Sequence, residues 1–195
     1  MSLLEHPAER ARLAAFYSET LTRDVLPFWV RHGWDREHGG IFTCLDRDGS
    51  LMDSDKSVWF QGRAGWMFAT AFRTVEARPE WLEVARSCAS FSRRHGHGPG
   101  GKMWFLVDRE GRPLRMRRYV FSEAFAAISY AAVSVATGDA ELRQAALDTF
   151  ALYLRHTFEP GLMPPKDEPT RPSKGIGGLM IGIVTAQELR EHLGD

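Results

Sequence analysis

Ile41-Phe42-Thr43-Cys44-Leu45-Asp46-Arg47-Asp48-Gly49 and Met103-Trp104-Phe105-Leu106-Val107-Asp108-Arg109-Glu110-Gly111 are two copies of one plan. Each follows a glycine pair, Gly39-Gly40 or Gly100-Gly101, and ends in a Gly-containing turn. That pattern predicts a small β-hairpin in each copy, at 40–53 and 102–114, both at the same end of a helix layer. Asp46 and Gly49 recur as Asp108 and Gly111, 62 residues on, and the same offset relates Gln61 to Glu123, Ala64 to Ala126 and Ala69 to Ala131. After a one-residue slip, Glu80 matches Glu141, Ala85 matches Ala146, and Arg94-His95 matches Arg155-His156. The unit is therefore hairpin, helix, helix, with a period of about 60 residues. One such unit cannot bury its apolar face alone, so neighbouring units must stack.

Working outward, apolar residues at helical spacing predict helices at 8–31, 57–76, 79–95, 121–137, 139–157 and 177–193. Pro27 should kink or reset the first. Pro79 suits the first turn of a helix, and Gly138-Asp139 is a stop-and-cap pair. The segment 159–175, with five prolines, reads as a long functional or inter-unit loop. The fold class is all-α: an α/α toroid or solenoid of helical hairpins with two small β-hairpins, forming one domain over 1–195. A closed ring needs more repeats than this sequence supplies.

The chain of 195 residues carries 25 Lys+Arg and 25 Asp+Glu, so its formal net charge is zero. That balance gives no electrostatic footprint for nucleic acid or for an anionic membrane. The apolar fraction of 44% suits a globular domain, and no apolar run reaches the ~20 residues that span a bilayer. Residues 1–12 lack the apolar core of a secretory signal. Cys44 and Cys88 make neither a disulfide framework nor a metal spacing, so the expected setting is cytoplasmic.

The common catalytic signatures are absent: no phosphate-cradling glycine loop, no Gly-x-Ser-x-Gly, no His-Glu-x-x-His. His95-Gly96-His97 is a candidate metal pair, but a structural role at a helix end is favoured, and no metal is expected. Asp35, Glu37 and His38 have the chemistry for acid–base work, although a solvated turn with a salt bridge is the simpler reading. More informative is Asp55-Lys56-Ser57-Val58-Trp59-Phe60-Gln61-Gly62-Arg63. An arginine among aromatic and small residues is costly to bury without a partner. The repeat serves as an internal control here: Arg63 corresponds to Phe125, so the scaffold does not require arginine there. Trp59 corresponds to Phe121, which suggests an aromatic needed by the fold. Gln61 and Glu123 either face a common cleft or cap the hairpins. Arg115, Arg117 and Arg118 form a basic cluster beside Tyr119, a polar handle for a ligand hydroxyl.

Taken together, Asp24-Val-Leu-Pro-Phe-Trp29, Asp35-Arg-Glu-His-Gly-Gly40, Phe42-Thr-Cys-Leu-Asp-Arg-Asp-Gly49, Trp59-Phe-Gln-Gly-Arg63, Phe121-Ser-Glu-Ala-Phe-Ala-Ala127 and Ala136-Thr-Gly-Asp139 resemble the N-acylglucosamine 2-epimerase family. The resemblance implies a toroid of six helical hairpins, of which this chain holds about the N-terminal half. It implies proton removal and return at C2 of an open-chain sugar by a pair of histidines. Those histidines lie in the half not present here, so the catalytic residues are unassigned. It also implies substrate contact by an arginine, which Arg63 matches.

The expected function is therefore a carbohydrate 2-epimerase acting on N-acetylglucosamine, N-acetylmannosamine or a related sugar, incomplete as this chain stands. Arg63, Tyr119, Gln61, Glu123 and Trp59 are the candidate substrate-binding residues, with Trp66 as a further wall. No cofactor is expected. The partners expected are a small sugar and a second copy met through an open apolar face. Two other readings stand beside it: a non-catalytic toroid half acting as a binding or assembly module, and a carbohydrate hydrolase using Glu123 and Asp55.

Overall fold

The computed structural model describes residues 6–117, 119–165, 168–173 and 175–194. Arg118 of the basic cluster lies outside the described residues. In chain order the elements are α1 (Pro7–Glu19), α2 (Leu26–Phe28), β1 (Cys44–Leu45), β2 (Leu51–Asp53), β3 (Lys56–Ser57), α3 (Val58–Thr74), α4 (Pro79–His95), β4 (Leu106–Val107), β5 (Pro113–Arg115), α5 (Phe121–Thr137), α6 (Ala140–Phe158) and α7 (Gly177–Leu193).

Local chemistry sets most helix ends. The Ser57 hydroxyl accepts from the Phe60 N–H at the start of α3, and the Asp139 carboxylate accepts from the Leu142 N–H at the start of α6. Gly138 and Gly194 close α5 and α7 in the left-handed conformation. The segment expected as one helix over 8–31 is helical throughout Pro7–Gly33, but two wide-turn stretches, Thr20–Val25 and Trp29–Gly33, flank Leu26–Phe28. Pro27 has no N–H to offer, and the hydrogen bonds around it lengthen instead of breaking: the N–H groups of Leu26 and Trp34 reach back five residues, to Leu21 and Trp29.

Helix α3 packs on α4 and α5, and α5 packs on α6 and α7. A Cβ on Gly62 would lie 2.5 Å from the Phe125 carbonyl carbon, and one on Gly65 would lie 2.2 Å from the Ser129 Oγ. Both contacts advance along the two helices together, so α3 and α5 are parallel and nearly touch backbone to backbone. Trp66 with Glu188 and Arg73 with His192 run the same way between α3 and α7. These three helices form one layer, with α4 laid across α3 and α5, and α6 laid across α5 and α7. The core between them is apolar and tight: Val58, Phe68, Trp81, Phe91 and Ala126 are fully buried.

Both hairpins exist. Strands β1 and β2 pair antiparallel, with Cys44 opposite Asp53, while β4 and β5 pair with Leu106 opposite Arg115. Both hairpins begin their strand pairing four residues later than the sequence suggests, at the equivalent positions Cys44 and Leu106. A strand the sequence does not announce, β3, joins β4 antiparallel and makes a three-stranded sheet across the repeat boundary. The repeat holds at the level of single contacts. Gly49 sits against the His32 ring and Gly111 against the His95 ring, each at a positive φ that frees the turn to close on an imidazole.

The α3–α5 approach tolerates no side chain at Gly62. We expect Gly62→Ala to destabilise the chain by about 1–3 kcal/mol in urea unfolding, the cost of overpacking. Gly178→Ala, whose Cβ would meet only Thr157 at an ordinary 3.6 Å, should cost far less.

Candidate functional site

The N-terminal turns of α3 and α5 set a row of aromatic rings side by side. Trp59 stacks on Phe125, with centroids 5.5 Å apart and planes 17° from parallel. It meets Phe121 and Phe105 edge-on, at 5.2 and 6.3 Å. Tyr119 stacks on Phe121 at 6.0 Å. Cations finish the row: the Arg63 guanidinium lies 5.6 Å over Phe125, and that of Arg117 lies 3.8 Å over Phe105.

Arg63 is exposed and makes no ion pair among the described residues. Its cation is therefore free for a ligand. It also borders an apolar cavity of about 300 Å³ with Trp29, Phe60, Trp66 and Met67. Tyr119, 44% exposed, borders a different one of about 520 Å³ with Phe121, His156 and Leu179. The ring row joins Arg63 to Tyr119, not a direct contact. Trp59 is half-buried, and its Nε1 is buried with no hydrogen-bond partner among the described residues. Trp66 walls the Arg63 cavity but spends its indole N–H on Glu188 of α7, at 2.8 Å.

Gln61 and Glu123 do not face the cleft, which corrects their assignment as substrate-binding residues. Both are fully buried. The Gln61 Oε1 accepts from the Ile41 N–H and its Nε2 donates to the Ile41 carbonyl, both at 2.7 Å. The Glu123 Oε1 accepts from the Met103 N–H and from the Lys102 ammonium, both at 2.8 Å. Ile41 and Met103 are equivalent in the repeat, so the two side chains clamp their hairpins to the helix below. The same burial removes Glu123 from any pairing with Asp55 as a hydrolase's carboxylate couple.

The turn at Asp35 is not solvated either. Asp35 is 2% exposed and Lys56 is 0% exposed, and they pair at 2.8 Å. Arg109, from the turn of the second hairpin, donates its Nε and Nη2 to the same carboxylate, at 2.9 and 3.1 Å. Lys56 also donates to the carbonyls of Gly39 and Arg109 and sits 4.5 Å over Phe91. Burial pushes the Asp35 carboxyl upward, but the hydrogen bonds from Arg109 and Lys56 outweigh it and hold the group well below the usual carboxylate range. Burial lowers the Lys56 ammonium, with Asp35 opposing. Sequence reasoning missed this node. The available signal was a lysine between Asp55 and a helix cap, facing an acidic turn that the repeat lacks in its second copy.

None of the histidines belongs to the ring row. His32 and His95 pack against Gly49 and Gly111. His97 Nδ1 lies 3.2 Å from the Gly101 carbonyl, and His156 Nδ1 lies 2.9 Å from that of Leu152. His192 is tucked between Arg73 and Glu188, and His38 lies beside Glu37 at 3.6 Å. Among the described residues, no three His, Cys, Asp or Glu side chains are grouped to hold a metal ion, and no helix is long and apolar enough to cross a membrane.

Asp35 gives a pH-dependent contribution with a definite sign. Its folded pKa lies below its unfolded one, so its stabilisation is present above about pH 4 and is lost as pH falls below that. Asp35→Asn should flatten the acid limb of stability against pH and lower stability at pH 7, because it strands a buried ammonium. The cost expected from breaking such a pair is about 3–5 kcal/mol, read from urea midpoints across pH.

The model of the family described as N-acylglucosamine 2-epimerase matches residues 28–176. The chain is 39% identical to the N-acylglucosamine 2-epimerase of Mus musculus over 128 residues, which is 64% of this chain and 30% of the mouse protein. It is 29% identical to the cellobiose 2-epimerase of Bacteroides fragilis over 142 residues, 71% of this chain and 36% of that protein. Among solved structures, the cellobiose 2-epimerase from Spirochaeta thermophila superposes with a TM-score of 0.81 at 20% identity, covering 100% of this chain and 52% of that one. The fold is that of an α/α toroid, and the chain spans about half the length of the solved relative and less of the curated ones.

Proposed function

Because the chain belongs to the N-acylglucosamine 2-epimerase family, we propose that it is the sugar-binding half of a carbohydrate 2-epimerase acting on an N-acylhexosamine. Arg63 carries the reading. It makes no ion pair among the described residues and is laid against an aromatic shelf, at a position where the second copy of the repeat carries Phe125 instead. The shelf offers apolar ring faces to a sugar's C–H faces, and the guanidinium offers paired donors to an oxygen that gains charge when C2 loses its proton. Tyr119 adds a hydroxyl at the far end of the row. Gln61 and Glu123 act one step removed, by holding the hairpins over the helix ends. The higher identity to the mouse enzyme than to the B. fragilis one supports an amino sugar over a disaccharide.

Epimerisation needs a base on one face of C2 and an acid on the other, each titrating near working pH. Six of the seven histidines are engaged elsewhere, by hairpin glycines, the Gly101 and Leu152 carbonyls, Glu37 or the α3–α7 contact. As the family resemblance implies, the proton-transfer pair is expected from outside the chain, so that these 195 residues bind without turning over. The test uses N-acetylmannosamine in deuterated water. Binding to the chain should be saturable by ligand-observed NMR, and Arg63→Ala should weaken it at least tenfold without moving the melting temperature. Exchange at C2 should not exceed the protein-free control. Exchange above control would place an acid–base pair within this chain, and a matching fall in melting temperature would make Arg63 a structural residue.

The same separation favours the module reading for the chain in isolation. Helix α7 exposes Leu179, Met180, Ile183 and Val184, and Ile176 just before it is exposed too. Its counterparts α3 and α5 are each covered by the next parallel helix of the layer, so the surface is of a kind that packs on a copy of this fold. A second copy is the occupant we expect. Light scattering should give a mass above the monomer for the isolated chain, and Met180→Glu with Ile183→Glu should return it to monomer.

A further inference from the structure

A second cleft lies away from the ring row. Arg86, Ser90, Arg93 and Arg94 follow one face of α4 and, with the α5–α6 turn at Thr137 and Asp139, line an open cleft of about 620 Å³. The chain is neutral overall, so three guanidiniums on one wall are a local concentration of charge. Two carboxylates, Asp139 in the cleft wall and Glu141 beside Arg93, offset the three guanidiniums only in part. The Asp139 Oδ1 is taken by the Leu142 N–H at the helix cap, 3.0 Å away. Glu141 reaches only Arg93, at 3.7 Å, and its side chain is 83% exposed. Arg86 and Arg94 make no ion pair among the described residues.

The repeat shows that the scaffold does not ask for this row. At the offset of 61 that relates α4 to α6, Arg86, Ser90 and Arg93 become Leu147, Ala151 and Leu154, while Arg94 stays arginine as Arg155. The polar character is thus particular to α4. A further departure lies behind it. Tyr130 adds a hydroxyl that its counterpart Phe68 lacks; it is fully buried with no hydrogen-bond partner among the described residues, and the charge of Arg93 acts on it.

We propose that this cleft binds the phosphate group of a small phosphorylated molecule through Arg86 and Arg93, at a site separate from the sugar shelf. Guanidinium forks match phosphate oxygens two by two, and two of them balance a dianion. The cleft is within the ~300–1,000 Å³ taken by small-molecule sites. Arg94 and the Ser90 hydroxyl stand beside the pair, for the remainder of the ligand.

The test titrates the chain with glucose 6-phosphate, inorganic phosphate and glucose by calorimetry. We expect saturable binding of the two anions, weakening as salt is added, and none of glucose. A tighter grip on the ester than on inorganic phosphate would show that the cleft reads the whole molecule, and equal affinity that free phosphate suffices. The double variant Arg86→Leu/Arg93→Leu carries the residues the repeat itself uses at Leu147 and Leu154, so it should fold with an unchanged melting temperature and bind at least tenfold more weakly. Arg63→Ala should leave this binding intact, which keeps the result independent of the epimerase reading. No saturable anion binding, equal binding of glucose, or full affinity in the double variant would overturn the proposal.

Discussion

Lys56 carries a charge where no water reaches, and much of the molecule is arranged around that fact. A buried ammonium is tolerated only with a paired carboxylate and with its protons spent on acceptors. Asp35 supplies the carboxylate, Gly39 and Arg109 supply carbonyls, and Phe91 offers its ring face. Those partners come from the entrance of the first hairpin, the turn of the second and the outer helix α4. One side chain therefore ties three parts of the chain that are distant in sequence. Because Lys56 is itself in β3, paired to β4, the node also fixes where the second hairpin lies against the start of α3. The ring row is built on the first turns of α3 and α5, immediately below.

The clamps under the hairpins show how one mechanical task is met with two chemistries. Gln61 can donate and accept, so it satisfies both backbone groups of Ile41 alone. Glu123 as a carboxylate can only accept, and it needs a cation. Lys102 provides one, at the position equivalent to Gly40. The exchange is coupled sterically as well: a Cβ on Gly40 would lie 2.5 Å from the Gln61 Oε1, so the glutamine clamp requires glycine there. Gly40 with Gln61 and Lys102 with Glu123 are thus two alternative pairs. The second leaves the Glu123 Oε2 buried without a partner among the described residues, which makes it the less satisfied of the two.

Helix limits were legible because their causes are local. Pro79, Gly138-Asp139 and the Phe121 start are readable in a window of a few residues, and 79–95, 121–137 and 177–193 stand as read. The repeat was legible because it is a comparison of the chain with itself. What sequence could not give were facts about pairs. The residues beside Lys56 do not settle that it is buried, since its carboxylate Asp35 is 21 residues upstream and Arg109, which shares that carboxylate, is 53 downstream. Strand β3 is two residues long and is defined only by its partner. Gln61 and Glu123 were visible as a conspicuous polar pair, but polarity alone does not tell a group turned to ligand from one turned to backbone. Arg63 was legible for the opposite reason: its counterpart is Phe125, and a position that changes from ring to cation is not being held by the fold.

Those two counterparts meet in space. Gly62 lets α3 come onto the Phe125 backbone, and the residue after it, Arg63, is thereby laid over the Phe125 ring. In one copy of the unit the position keeps a ring, and in the next it carries the charge that lies on that ring. Neither residue would make the surface alone: two arginines would repel across the shelf, and two aromatics would leave it without a donor. The glycine that closes the helices is therefore also what makes the divergence of the two copies useful; its equivalent in α5 is Ala124, which carries the Cβ that position 62 has no room for. Tight parallel packing at one helix pair and the loss of repeat symmetry at the next residue together convert a stacking unit into a surface with an apolar face and a directed cation.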